Sequence, residues 1–310
     1  MNIVFRADSS STIGTGHIMR DLVLAQRYEN KGHSIIFATQ DLQGNMNHKI
    51  IEAGYELNIL KSNDIEELDE LIKKLKIDMI VIDHYGIDYD FEKKLKIKNP
   101  TLKILSFDDT YEKHYCDILL NHNISADKKR YKNLVPKRCK LRCGSKYILL
   151  RDEFIKEKKK LKSKKPSKKF KIFIAMGGAD TANLNIKILH VLKKYKNIKV
   201  HLVTTLANQN LKELEKYCKD KKWIKLHINS DKIAKLMAKS SFAIISPSVT
   251  ANEAFFMELP FIAIKTADNQ NDMYKYLKQK KFFVLKEFDS NKLLLRINKL
   301  SLGLLIGIYS

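Results

Sequence analysis

Residues 5–20 read FRADSSSTIGTGHIMR, and the rest of the chain is read outward from them. An apolar strand over Ile3–Phe5 leads into a Gly-x-Gly loop at Gly14 and Gly16. His17 then opens a helix that continues through Leu22, Val23 and Leu24. The glycines permit a tight turn and the close approach of a ligand. A helix start presents unpaired N–H donors and a positive partial charge. That charge disfavours a protonated imidazole, so His17 is expected to be a neutral base near pH 7. The same residues also suit a phosphate-binding turn, or a plain strand–helix junction with a surface histidine. The third glycine of a G-x-G-x-x-G fingerprint is absent.

The N-terminal half continues in the same alternation. Strands are expected at Ser34–Ala38, Glu56–Ile59, Met79–Ile82, Ile104–Phe107 and Ile118–Leu120. Helices are expected at His17–Lys31, Asn45–Ala53, Ile65–Leu75 and Phe91–Ile97, the first two closed by Gly32 and Gly54. Tyr131–Leu150 reads as a final pair of short strands. Short apolar strands separated by helices predict a parallel sheet covered on both faces. Ligands on such sheets bind beyond the carboxyl ends of the strands. The loops there are polar: Asp8 to His17, Asp83-His84-Tyr85-Gly86, Asp108-Asp109 and Asn121-His122-Asn123. Asp8, Asp83 and Asp109 are equal candidates to orient His17. Asp88-Tyr89-Asp90 has the spacing of a metal-binding Asp-x-Asp, but it reads better as a helix cap before Phe91, and no metal is called for.

Residues 156–171, KEKKKLKSKKPSKKFK, break the composition and read as a solvated basic linker between an N-terminal domain over 1–155 and a second over 172–286. The second half repeats the alternation. Strands fall at Lys171–Met176, Val200–Thr204, Ile224–Ile228, Phe242–Ile245 and Pro260–Ile264. Helices fall at Asn183–Lys193, Leu211–Cys218, Lys232–Met237 and Met273–Lys280. Residues 287–310 hold an amphipathic helix over Asp289–Leu300 and an apolar tail over Leu302–Tyr309, which either packs back on the N-terminal domain or is specific to this lineage, with no role assigned. The fold class is therefore α/β, with two Rossmann-like, doubly wound domains facing a central cleft.

Two loops of the second half suit a nucleoside diphosphate. Gly177-Gly178 lies where a strand ends, so its N–H groups can face a phosphate. The loop Ser246-Pro247-Ser248-Val249-Thr250 adds hydroxyls, and Glu253 can accept hydrogen bonds from both ribose hydroxyls. A tight turn, an N-cap at Ser248 and a surface charge at Glu253 are the plain alternatives.

Composition narrows the class. At 310 residues with 44% hydrophobic content, the chain can bury two cores and is not disordered. Its 58 Lys and Arg against 35 Asp and Glu give a net charge of +23. Much of this is Lys on helix faces, as a solvated surface requires; nucleic acid, an acidic membrane or an anionic substrate are the other partners such charge can serve. Cys116, Cys139, Cys143 and Cys218 include no C-x-x-C pair and read as free thiols rather than a zinc site. No signal peptide or membrane span is apparent, which points to the cytoplasm.

Taken together, the stretches FRADSSSTIGTGHIMRDL, IDHYGID, ILSFDD, HYCDILLN, CGSKYILLRDEF, MGGAD, IAKLM and ANEA and the pair Asn269-Gln270 resemble the UDP-sugar hydrolases of pseudaminic acid biosynthesis. These are relatives of the GT-B glycosyltransferases that include the peptidoglycan lipid II synthase. The match runs from Phe5 to Gln270 and fades beyond about Lys286. The resemblance implies a GT-B-like fold with UDP held by the C-terminal domain. It implies metal-independent, inverting hydrolysis of UDP-2,4-diacetamido-2,4,6-trideoxy-β-L-altropyranose, with no cofactor. On it, His17 is the general base, and Tyr85 and Asn269 are active-site residues. Gly14, Gly16, Asp8, Gly177, Gly178, Ser246, Ser248, Thr250, Asn252, Glu253 and Gln270 are expected to bind substrate. The expected partner is the UDP-linked diacetamido sugar, met by a monomer without nucleic acid or membrane insertion. Two rivals remain at this level. One is a transferase that uses an acceptor other than water, against which a closed, water-sized pocket at His17 would count. The other is a polyanion binder built on the Lys surplus and the 156–171 tract.

Overall fold

The computed structural model describes residues 1–305 except 11, 15 and 162–169, with side chains to residue 301. It divides into two compact units, one ending at Leu150 and the other starting at Arg151.

The first unit alternates strands and helices in chain order. Its strands are β1 (Asn2–Ala7), β2 (Ser34–Gln40), β3 (Glu56–Leu60), β4 (Met79–Asp83), β5 (Lys103–Phe107), β6 (Ile118–Asn121) and β7 (Lys140–Cys143). The helices are α1 (Gly16–Glu29), α2 (Asn47–Glu52), α3 (Ile65–Lys74) and α4 (Tyr89–Lys98). All strand pairs are parallel, in the order β3-β2-β1-β4-β5-β6-β7. The order reverses between β1 and β4, which makes their carboxyl ends the crevice where such sheets bind ligands.

Side chains alternate between the two faces of each strand. Ile3, Phe5 and Ala7 of β1, with Met79 and Val81 of β4, join Ile18, Leu24 and Ala25 of α1 in one core. Val4, Ile80 and Ile82 face the other way, onto Leu68 and Ile72 of α3 and Leu95 of α4. This parity decides where the acidic residues at the strand ends point. Asp83 continues the α1 face, and Asp8 continues the opposite one.

The expected second strand within Tyr131–Leu150 is not formed; β7 stands alone there, flanked by single 3-10 turns at Lys128–Tyr131 and Ser145–Tyr147. Tyr131 instead drives its ring into the core, and its phenol donates to Asp108 Oδ2 at 2.7 Å.

The second unit begins with α5 (Asp152–Leu161), so residues 156–161 of the expected linker are helical. Phe154 is fully buried on the inner face, while Lys156, Lys159 and Lys160 are exposed and Lys158 donates to the Phe256 carbonyl at 2.6 Å. Residues 162–169 of that linker lie outside the described residues, as does the end of the apolar tail. The strands are β8 (Phe170–Ala175), β9 (Ile198–Thr204), β10 (Ile224–Ile228), β11 (Phe242–Ile245), β12 (Phe261–Ile264) and β13 (Phe283–Leu285). The remaining helices are α6 (Asn185–Leu192), α7 (Leu211–Cys218), α8 (Ile233–Ala238), α9 (Val249–Phe256), α10 (Asn271–Gln279) and α11 (Ser290–Leu305). The sheet is again parallel, in the order β10-β9-β8-β11-β12-β13, with its reversal between β8 and β11. Leu293, Ile297 and Leu300 of α11 fall on one helical face and are buried in the second unit's own core, against α6 and β13. Among the described residues, no helix is long and apolar enough to cross a membrane.

Candidate active site

In the first unit, the site is built at the β1/β4 reversal. Gly14 has φ +87°, and its N–H donates to Ser10 O at 2.8 Å, closing the loop that precedes α1. Gly16 is the first residue of α1, so His17 stands in the first turn as the sequence indicates. His17 is buried, and its Nδ1 lies 2.6 Å from Asp83 Oδ1. Of the three candidate carboxylates, Asp83 is the one that orients the ring. Asp8 faces the opposite side of the sheet and is spent there: it takes Arg6 at 2.7 Å and 2.8 Å, the Gln40 N–H at 2.7 Å and His84 Nε2 at 3.1 Å.

Arg20, three residues along α1 on the face of His17, was not singled out by the sequence. It grips Asp83 with two donors, Nε to Oδ2 and Nη2 to Oδ1, and reaches Asp109 Oδ2 at 3.4 Å. Its guanidinium lies 4.9 Å from the centre of the Phe107 ring. Burial alone would raise the Asp83 carboxyl. The charge and hydrogen bonds of Arg20, joined by His17, hold it well below the usual carboxylate range. An ionised carboxylate only accepts, so Nδ1 carries the proton, and Nε2 is left as the basic nitrogen. The asymmetry of the imidazole therefore comes from Asp83, not only from the helix start.

Beneath this pair lies Asp21, with no exposed surface and no hydrogen-bond partner for either carboxyl oxygen. Burial and the charge of Asp83 raise it well above the usual range, against the pull of Arg20, so it is the neutral acid. One negative charge is thus kept next to His17.

Tyr85 stands beside the ring. Its aromatic ring meets His17 edge-on at 5.0 Å between centres, and its hydroxyl donates to Asp109 Oδ1 at 3.0 Å. Arg20, Asp83 and Tyr85 wall a cavity of about 450 Å³ that continues to Tyr89 and Lys113. This is larger than a single water requires. Asp88 caps α4 by accepting the Phe91 N–H at 2.9 Å, as the sequence reading expects.

In the second unit, the Gly177 and Ser246 loops follow β8 and β11, the two strands that flank its reversal. They differ in what they leave available. Gly177 has φ +86° and both glycines are exposed, but the helix after them begins only at Asn185. The Asp180 carboxylate already accepts the Leu184 and Asn185 N–H groups, each at 2.9 Å. That helix start is therefore occupied by the protein's own anion, and only the loop N–H groups remain. A side chain at Gly178 would come within 2.8 Å of Thr205, whose N–H donates to Gly178 O.

The Ser246 loop leads directly into α9. Ser246 and Ser248 hydroxyls lie 3.1 Å apart, and Ser248 makes no side-chain cap. The first-turn N–H groups of Val249 and Thr250 are not taken by it. Thr250 is half-buried and Asn252 is buried behind it. Glu253, one turn into α9, lies 3.6 Å from Arg151, which also holds Glu153 at 2.9 Å. Burial pushes the Glu253 carboxyl up to about 7, against Arg151 and with Glu153. Gln270 folds back, its Oε1 accepting the Thr266 N–H at 2.8 Å, and Asn269 next to it is exposed. A cavity of about 320 Å³ lies among the loops after β8, β12 and β13, lined by Leu184, Thr266 and Phe288.

The four cysteines are free thiols, with Cys116 and Cys139 Sγ atoms 3.6 Å apart. No group of three or more His, Cys, Asp or Glu is placed to hold a metal ion among the described residues.

Comparison with known proteins follows the same lines. No family model matches the chain. It is 43% identical over 284 residues to the UDP-2,4-diacetamido-2,4,6-trideoxy-β-L-altropyranose hydrolase of Campylobacter jejuni, covering 92% of this chain and 98% of that protein. Among solved structures, MurG of Acinetobacter baumannii superposes with a TM-score of 0.65 at 12% identity, covering 97% of this chain and 90% of that one. The UDP-GlcNAc 2-epimerase of Neisseria meningitidis, solved bound to UDP-GlcNAc, gives 0.60 at 12% identity, covering 100% and 93%. At such identities these two likenesses show the fold alone, which is GT-B-like.

Proposed function

The chain belongs to the family of the UDP-2,4-diacetamido-2,4,6-trideoxy-β-L-altropyranose hydrolase, and we propose that it breaks down that nucleotide sugar by direct attack of water, without a metal and with inversion. The carrying observation is the His17–Asp83–Arg20 arrangement at the β1/β4 reversal.

In this reading, water sits between His17 Nε2 and the anomeric carbon. As the new C–O bond forms, Nε2 takes the water proton. Asp83 steadies the imidazolium through Nδ1–H, and Arg20 keeps the carboxylate ionised and fixed. The bond from the anomeric carbon to the diphosphate oxygen breaks, and its electron pair leaves on UDP. Tyr85 and Asn269 orient the water or the sugar.

The second unit takes the nucleotide. The α9 start and the hydroxyls of Ser246, Ser248 and Thr250 suit the diphosphate, with the N–H groups of the Gly177-Gly178 loop beside them. Glu253 accepts from the ribose, Asn252 backs it, and Gln270 shapes the loop next to Asn269. The surplus positive charge draws the substrate in at long range. Gly14 and Gly16 shape the loop that presents His17, and Asp8 serves through Arg6 and His84 rather than by touching substrate. The setting is the cytoplasmic biosynthesis of pseudaminic acid, and the enzyme works as a monomer.

The transferase reading has one observation in its favour, the size of the cavity beside Tyr85. UDP release from the purified protein with the nucleotide sugar in buffer containing a chelator and no acceptor tests both. Turnover under those conditions supports hydrolysis. Turnover that appears only when an acceptor alcohol is added supports transfer. A His17→Ala variant with near wild-type turnover removes that residue from the mechanism.

A further inference from the structure

We infer that the cavity beside Tyr85 seats the diacetamido sugar, not the diphosphate, and that Tyr89 and Lys113 in its lining read the acetamido groups. The inference rests on the hydrolase reading and assigns the part of the substrate which that reading leaves without a home.

Charge is the first argument. The chain as a whole carries +23, yet this cavity is acidic. Asp83 is matched by Arg20, and Asp108 faces the buried His114, whose Nε2 is 4.0 Å away. What remains on the walls is Asp88, Asp90 and Glu112 against Lys113 alone. A diphosphate would meet like charge there, and the α4 start that borders the cavity is already capped by the Asp88 carboxylate. An uncharged ligand end that carries hydrogen-bond donors is favoured instead. A 2,4-diacetamido-2,4,6-trideoxy sugar has two amide N–H groups and a hydroxyl to donate, and two amide carbonyls to accept.

Shape and polarity are the second. The volume of about 450 Å³ falls within the range of small-molecule sites. Tyr85, Tyr89, Ile87 and Phe107 give it apolar surface, which suits a ligand bearing three methyl groups, two acetyl and one at C6. Carboxylates interleaved with aromatic faces match that alternation of amide and methyl.

Rigidity is the third. Tyr89 is the first residue of α4, fixed by the Asp88 cap. Tyr115 packs edge-on against it at 5.6 Å, and the Lys113 ammonium lies 4.4 Å from its ring centre. The pair lines the same cavity as Tyr85 as a prepared wall, and Lys113 brings a donor that suits an amide carbonyl. Tyr85 is shared by both features, since its ring also touches His17. A sugar seated here therefore adjoins the base.

The test uses Tyr89→Leu and Lys113→Met in the full chain, read by steady-state kinetics and by inhibition with each product separately. Lys113 is exposed, so its variant is expected to fold normally. The expected result is a fall of roughly 10- to 100-fold in kcat/KM for UDP-2,4-diacetamido-2,4,6-trideoxy-β-L-altropyranose. Inhibition by the free diacetamido sugar weakens in step, while inhibition by UDP stays within about twofold of wild type. Unchanged inhibition by the free sugar in both variants overturns the assignment, as does a loss of UDP inhibition in its place. Calorimetric titration with the free sugar separates this failure from failure of the hydrolase reading. A wild type that binds the sugar but never releases UDP defeats the reaction, and variants that still bind it like wild type defeat the site.

Discussion

Replacing Asp83 by Asn removes one charge and turns one acceptor into a donor at the point where His17 and Arg20 converge. In the native chain, both carboxylate oxygens are used: Oδ1 by His17 Nδ1 at 2.6 Å and by Arg20, Oδ2 by Arg20 again. An amide offers a single acceptor oxygen. If that oxygen turns to Arg20, the amide NH2 faces His17 Nδ1, which must then accept, and the proton moves to Nε2. The imidazole becomes the wrong tautomer for taking a proton from water. If it turns to His17, the tautomer survives, but the imidazolium loses a charge-assisted partner, roughly 1.5–3 kcal/mol or about 10- to 150-fold in rate. Both routes together place the expected loss in kcat at about 10²- to 10⁴-fold. Leaving Arg20 without its carboxylate would cost on the order of 3–5 kcal/mol of stability if nothing compensated. Asp21 offers compensation, because Asp83 no longer opposes its ionisation next to Arg20. The variant is therefore expected to fold, at reduced thermal stability. The assay is continuous UDP release at saturating substrate, with circular dichroism to establish folding and calorimetry to measure UDP binding. UDP affinity should be unchanged. A folded Asp83→Asn protein with kcat within about threefold of wild type would refute the reasoning.

Other outcomes follow from the same contacts. Burial pushes Glu253 up to about 7, and on the proposed ribose contact only its ionised form accepts strongly from both hydroxyls, so UDP affinity should rise by up to about tenfold from pH 6 to pH 8, and Glu253→Gln should flatten the change in calorimetry. Burial would lower the His114 imidazole, but the hydrogen bonds and charges of Asp108 and Glu92 push it up to about 10. A raised histidine contributes its full stability below its unfolded value, near 6.5, and loses it as the pH climbs towards 10. The melting temperature should thus fall by several degrees between pH 6.5 and 10, and His114→Gln should lessen that slope. Gly178→Ala drives a methyl to 2.8 Å from Thr205 and should lower stability by about 1–3 kcal/mol while weakening UDP binding, both measurable in one thermal-shift titration.

The fold was legible because its signals are local. Leu211–Cys218, Ile224–Ile228 and Phe242–Ile245 fall where apolar runs and their breaks place them. The helix α5 was missed because four lysines within it resemble a solvated tract, and only Phe154 marks its inner face. The three-residue β13 carries too little pattern to stand out. His17 was legible from its place after two glycines, whereas its partner was not. Asp83 lies 66 residues away, and chain order alone does not put β4 beside β1. Parity is the signal that could have chosen it. With β1 and β4 adjacent, Met79, Val81 and Asp83 share a face with Ile3, Phe5 and α1, while Asp8 falls on the other side. Arg20 was open to the same argument, three residues after His17 on one helical face. The role of Asp180 was not legible, because nothing local in the sequence shows that it accepts the first N–H groups of the helix after Gly177-Gly178.

The central claim is direct displacement of UDP by water held at His17. Proton NMR of the reaction at its earliest turnover, before mutarotation, tests it most directly. The account predicts that the α-anomer of the diacetamido sugar appears first from the β-linked substrate, in step with UDP. First appearance of the β-anomer would contradict it.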